Sequence, residues 1–411
     1  MAQIFPFQPF RYSEKAGSLA GLVTQPYDKI SPEMRSRYLA QSPYNLVRII
    51  LGERRESDRD GDNVYTRAAR YLQEWIAQGI LVQEKEPSLY LYRQEFEVPD
   101  SGERLIRQGF IGLGAVEDYA AGVVHRHEQT LSGPKKDRME LLRHTHAHFG
   151  QIFMLYPDPA GEIDRLLNEA AQGAPAGEVT DDYGVLNRIW RISDAARIEQ
   201  IRRGMADKKL LIADGHHRYE TALAFRKENP DMAGAGRVMM TFVNLHSPGL
   251  RILASHRLVS GLAGFDPATF LEKAAAGFMV REIESTDVLR QKWETSGDTV
   301  FGAAVGAKLY LLESRNSTGD LDLVVLHRDL LGAVLGIGEE AVREERYLQY
   351  ARGLEAARQA ARQGKAQIAF LVKATSVEQV AGISFRGGVM PQKSTDFYPK
   401  LLSGFTIYRF S

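Results

Sequence analysis

Cysteine is absent from all 411 residues, which excludes disulfides, thiolate metal sites and cysteine nucleophiles. Net charge is absent as well: 52 basic residues stand against 52 acidic ones. Binding a nucleic-acid polymer rests on a positive field that displaces counterions, and the chain as a whole supplies none. No apolar run approaches the roughly 18 residues of a membrane span. The opening residues, Met1 to Pro6, carry neither the basic region nor the apolar stretch of a signal peptide. Internal repeats, low-complexity tracts and a Gly-Lys-Ser/Thr phosphate loop are also missing. What remains is the profile of a cytoplasmic enzyme with small-molecule partners, and with neither nucleic acid nor membrane among them.

Apolar residues make up 44% of the chain and charged residues 25%, enough to bury a sizeable core. The length points to two or three packed units. Strand patterns fall at 89–98, 105–116, 187–192, 208–212, 237–243, 299–305, 308–312, 321–326 and 367–372. Helical periodicity falls at 63–78, 137–148, 195–206, 217–228, 267–276 and 352–363. Strands and helices mix without regular alternation, so the expected class is α+β with mixed sheets rather than a barrel of repeated strand–helix units. Gly/Ala/Pro-rich stretches at 171–177 and 260–266 read as connections. They place an expected boundary near residue 262, giving units 1–262 and 263–411.

The chemistry concentrates in residues 208–226. The apolar run Leu210–Ala213 reads as a short buried strand, and Ala222, Leu223 and Phe225 give the following helix a packing face. Between them lies Asp214-Gly215-His216-His217-Arg218. Gly215 permits a sharp turn and close approach of a ligand. The cluster therefore sits at a helix N-terminus, where unpaired N–H groups and the dipole favour anions. Arg218 adds a planar fork suited to phosphate oxygens, and the histidines add donors or a titratable base.

Other groups could serve the same chemistry. Glu128 beside His127, followed by Lys135, Lys136 and Arg138, offers a base and cations for in-line phosphoryl transfer. Asp28 is a candidate Mg²⁺ ligand. Asn45 and Arg48 follow a turn and are candidate substrate contacts. Lys393, Ser394, Thr395 and Lys400 form a second anion-friendly group. His144 and His148, spaced by four within the expected helix, would share a face compatible with a metal.

The Asp-Gly-His-His-Arg turn resembles the phosphate-binding turn of the ParB/sulfiredoxin superfamily, which includes the ADP-dependent free serine kinases. The resemblance implies a ParB/sulfiredoxin-like core, a bound nucleotide such as ATP or ADP, and a glutamate base opposite the turn, for which Glu128 is the candidate. It also implies serine or phosphoserine as a substrate. Nearly end to end, the chain resembles the family catalogued as domain of unknown function 1015. That likeness rests on Gln25-Pro26-Tyr27-Asp28, Ser42 to Arg48, His127 to Thr130, Asp137-Arg138, the central turn, and Met390 to Thr395 with Phe397, Pro399 and Lys400. The expected function is phosphotransfer to or from a small hydroxylated metabolite, as kinase or phosphatase. Gly215, His216 and Arg218 would hold phosphate with Lys136 and Arg138, while Glu128, His217 and Asp214 would be catalytic. The alternative is a nucleotide-binding regulatory protein of the ParB type, without turnover.

Overall fold

Every residue of Ile152–Tyr156 is buried, as are Leu210 to Ala213, so neither segment offers a face to water and each needs cover on both sides. The computed structural model, which describes residues 2–99, 101–128, 132–316 and 319–410, shows how that cover is built. A nine-stranded mixed sheet runs Val124–His125, Leu210–Asp214, Ile152–Tyr156, Arg237–Asn244, Arg104–Ala115, Leu89–Glu97, Leu186–Ile192 and Gly177–Thr180, with Ile4–Phe5 added along Arg104–Ala115. Leu210–Asp214 lies parallel to Val124–His125 and antiparallel to Ile152–Tyr156.

The period-two alternation of strands sorts side chains between two cores. Leu89, Leu91, Phe110, Met154, Ile212 and Phe242 face one side, where helices Glu162–Ala170, Ala195–Met205 and His216–Glu228 pack. Tyr90, Tyr92, Ile111, Phe153, Leu155 and Leu211 face the other, against Phe397, Leu401, Leu402 and Phe405 from the end of the chain.

A second, six-stranded sheet is antiparallel throughout. Its order is Phe278–Ile283, Lys308–Ser314, Val300–Val305, Ile368–Leu371, His256–Val259 and Leu348–Ala351. Past Leu371 the chain leaves this sheet and returns to the first. Phe397–Tyr398 pairs with Arg251–Ile252, and Tyr408–Arg409 pairs with Ala147–His148. The class is therefore α+β with mixed sheets.

Two local expectations are corrected. Residues 321–326 form helix, not strand: Asp322–Val325 is α-helical and runs into a wider helix over Leu326–Val334. Leu323, Leu326 and Leu330 are all buried, and their spacing of three and four suits a helix face. The helix expected over 137–148 instead spans Ser132–Thr145 and stops before His146, whose φ of 46° is left-handed.

Candidate active site

The strand Leu210–Asp214 ends at Gly215, whose φ of 98° lies in the left-handed region, and the helix His216–Glu228 begins at the next residue. A Cβ on Gly215 would stand 3.1 Å from the Arg218 guanidinium carbon. Glycine is needed here both for the turn and for the arginine lying against it. Gly150 does the same from the other side, with a built Cβ 3.2 Å from Arg218 Nη1. The guanidinium is held by the Gln151 carbonyl, which accepts from Nη1, and by Asp214 at 3.5 Å. The first-turn amides of such a helix have no acceptor within it.

Arg218 lines a cavity of about 60 Å³ together with Pro26, Tyr27, Arg138, Gly150 and Ser403. Arg138 stacks 4.0 Å above the Tyr27 ring and is tied to Asp137 at 2.9 Å. Two guanidinium groups thus border one small space.

Asp214 also receives Lys400 Nζ at 2.9 Å, and Lys400 reaches Asp396 at 3.1 Å. Arg352 donates to the same Asp396 at 2.8 Å. Burial works against the Asp214 carboxylate, but Lys400, Arg218 and Lys29 outweigh it and hold the group far below the usual range. Burial likewise opposes the charge of Lys400, yet Asp214 and Asp396 keep it protonated. Lys400, Arg352, Asp396, Lys29, Gln25, Lys393 and Thr395 line a second, wider cavity of about 270 Å³. Asp214 therefore bridges a guanidinium on one cavity and an ammonium on the other.

Behind the turn lies a compact row of His127, Glu128 and His216. His216 is 2% exposed, and its Nδ1 stands 3.1 Å from Glu128 Oε1. Its Nε2 is buried with no partner among the described residues. His127 sits edge-on to His216 with centroids 4.6 Å apart. The His127 Nδ1 meets the Ile212 carbonyl at 2.8 Å and its Nε2 meets Thr395 Oγ1 at 2.7 Å. A carbonyl only accepts, so Nδ1 carries the proton and Nε2 receives the hydroxyl. Burial raises the Glu128 carboxyl, but the His216 bond and the nearby imidazoles bring it down to about 2. Burial, aided by His216, pushes His127 down to about 3, and burial lowers half-buried His217.

These three residues are the group of potential metal ligands that the described residues bring together, with ligand atoms within 4.8 Å of one another. The histidines near 144–148 are not gathered in this way. His144 bonds the Glu140 carbonyl and stacks on Tyr65, while His148 stacks on Tyr408. Asp28 lies in the short turn Tyr27–Lys29, 3.8 Å from Lys29, close enough to act electrostatically on His217 and Lys400.

Of the other expected contacts, Thr395 reaches His127 and Lys400 reaches the turn. Lys393 approaches Glu345 at 3.7 Å, and Ser394 bonds the Pro391 carbonyl at 2.6 Å. Lys135 pairs with Glu220 at 2.5 Å, while Lys136 is exposed. Asn45 and Arg48 are not brought to the turn. Asn45 is buried, bonding Gly21 O and Val47 N, and Arg48 bonds the Leu39 carbonyl and lines a separate cavity. Gln129 and Thr130 lie outside the described residues. Sequence reasoning missed Lys29, Arg352 and Asp396 as neighbours of the turn. No local pattern pointed to them, since 396–400 is not helical and a spacing of four there carries no information.

A family model described as Protein of unknown function (DUF1015) matches residues 4–331. A search of curated proteins finds no match. Among solved structures, a conserved hypothetical protein from Pyrococcus furiosus matches at 17% identity over 67% of this chain and 87% of that one, with a TM-score of 0.35. A free serine kinase in complex with AMP matches at 16% identity over 70% and 88%, with a TM-score of 0.39. SbnI with C-terminal truncation from Staphylococcus aureus matches at 11% identity over 71% and 85%, with a TM-score of 0.35.

Proposed function

The chain belongs to the DUF1015 family, and we propose that this member is a phosphotransferase moving a terminal phosphoryl group between a nucleotide and a small hydroxylated metabolite. One observation carries the reading: a glycine-made helix N-terminus bearing a pinned arginine and a histidine whose buried Nε2 lacks a partner, set 3.1 Å from a carboxylate that stays ionised.

Gly215, His216 and Arg218 bind the phosphates through first-turn amides and the guanidinium. Arg138, across the smaller cavity, adds positive potential, and exposed Lys136 extends it. In the forward direction the metabolite hydroxyl attacks the terminal phosphorus of ATP or ADP. A new O–P bond forms, the P–O bond to the departing nucleotide breaks, and the hydroxyl proton passes to Glu128. A weakly basic carboxylate suffices, because phosphoryl transfer passes through a loose transition state in which positioning and charge stabilisation dominate. His217 stands beside this group as the second proton carrier, and Asp214 fixes Arg218 and Lys400. A Mg²⁺ ion held by Asp28 would neutralise charge on the nucleotide phosphates. If water replaces the hydroxyl, the same parts hydrolyse a phosphate monoester.

The turn's resemblance to that of free serine kinases makes serine the first acceptor to test. Purified protein with Mg²⁺ is incubated with ATP or ADP plus serine, and separately with phosphoserine, while phosphorus NMR follows the products. Transfer or hydrolysis is the expected result. No turnover in either assay, combined with no nucleotide heat in calorimetry, removes the proposal.

A further inference from the structure

The wider cavity beside the turn is bordered by both halves of the molecule. Gln25 and Lys29 come from the N-terminal region, Tyr350, Ala351 and Arg352 from the edge of the second sheet, and Lys393 to Lys400 from the returning chain. Four cations line it, namely Lys29, Arg352, Lys393 and Lys400, against the single carboxylate of Asp396. Arg352 and Lys400 are committed to Asp396 and Asp214. Lys29 and Lys393 are held more loosely, Lys393 lying 5.6 Å over the Tyr350 ring. Asp28 and Glu345 approach them only at 3.8 and 3.7 Å, beyond hydrogen-bond distance. Each ammonium has three donors to offer.

One of the lining residues, Gln25, has an acceptor without a donor. Gln25 is 1% exposed, and its Nε2 donates to Asp181 Oδ2 at 3.0 Å. A carboxylate only accepts, so this bond fixes the orientation of the amide. Gln25 Oε1 is left buried and unpartnered among the described residues. A buried acceptor in that state costs free energy until a donor arrives. Two ammoniums with unused donors and one orphaned carbonyl oxygen specify a guest that is anionic and also carries an O–H or N–H group. The cavity, at about 270 Å³, has room for a few-carbon molecule. Its wall meets the catalytic row through Thr395, whose hydroxyl bonds His127.

We propose that this cavity is the acceptor site, and that the acceptor is a small hydroxy or amino acid, its carboxylate on Lys29 and Lys393 and its O–H or N–H donor on Gln25, rather than a neutral polyol. The word acceptor rests on the phosphotransfer reading, whereas anion capture by the cavity stands independently of it.

Calorimetry on the full chain compares L-serine, D-glycerate and glycerol as titrants, with ADP titrated in parallel. At least one of the two acids binds and glycerol does not. Lys393→Ala, at a half-exposed position, weakens the acid about tenfold, the loss of one charge-assisted bond. Gln25→Leu weakens it as well, and both variants bind ADP as the parent does. Arg218→Ala shows the reverse pattern. Glycerol binding as tightly as glycerate overturns the proposal, as does an acid affinity unchanged in folded Lys393→Ala, or no acid binding at tens of millimolar. Acid binding that depends on Lys393 in a protein that never transfers phosphate overturns the transfer reading and leaves the cavity assignment standing. Transfer to glycerol as efficiently as to the acids does the opposite.

Discussion

Arg218 has its geometry set before any ligand arrives, since two glycines, a carbonyl and a carboxylate hold its fork in place. Arg218→Ala should weaken nucleotide binding by about 1.5–3 kcal/mol, the worth of a charge-assisted hydrogen bond. Calorimetry with ADP checks this, and an unchanged affinity in a folded variant removes Arg218 from the site. Gly215→Ala forces a side chain into the left-handed region and against that guanidinium, so it should cost about 1–3 kcal/mol in urea unfolding. Glu128→Gln keeps shape and loses the base. It should lower kcat by about 10²–10⁴-fold with little change in the KM for nucleotide, and a wild-type rate would show that the proton goes elsewhere. At this scale much was legible in the sequence. Gly215, His216, Arg218 and Glu128 were all named from residue type and order. The buried state of His216 was not, because two adjacent histidines read alike until the helix fixes which one turns inward.

Among the elements, the returning segment after Leu371 matters most to the site. It delivers Thr395 and Lys400 and fills one face of the first sheet with Phe397, Leu401, Leu402 and Phe405. Fully buried Arg107 pins it by donating to the carbonyls of Tyr398 and Pro399 and to Gln94. Arg107→Ala should strand those carbonyls, at about 1–3 kcal/mol for each unsatisfied group. It should also loosen Lys400, so urea unfolding and nucleotide affinity are expected to fall together. A loss of stability with unchanged affinity would show that the site does not depend on this clasp. The strand Ile152–Tyr156, in the middle of the first sheet, went unrecognised for a physical reason. A five-residue run that is buried on both faces has no period to read. The stretch at 321–326 misled for the same reason, and only packing of Leu323, Leu326 and Leu330 in the core of the second sheet settled it as helix.

For the molecule as a whole, several buried and half-buried histidines dominate the response to acid. Burial pushes His127 down to about 3 and His148, His256 and His327 each to about 4, against about 6.5 in an unfolded chain. A depressed folded value means that the unfolded state binds more protons across this interval. The stabilisation is complete above about pH 6.5 and is lost progressively as pH falls towards 3–4. Glu128, brought from 4.5 to about 2, adds a loss of the same sign lower in that range. Thermal unfolding followed from pH 8 to pH 4 should therefore show a steady fall in Tm beginning near pH 6.5. A flat profile above pH 5 would mean that these imidazoles are solvated in solution.

Chain order alone was enough to establish the α+β class and the strand–glycine–helix corner, because helix and strand periods and the demand for glycine are local properties. Which cations meet there was not a local property. Lys29, Arg352 and Lys400, with the Asp396 carboxylate between two of them, are spread over more than 370 positions, and they converge because the last forty residues run back across the first sheet to bury its second apolar face. That route is chosen by burial summed over many side chains, and no window of neighbouring residues contains it.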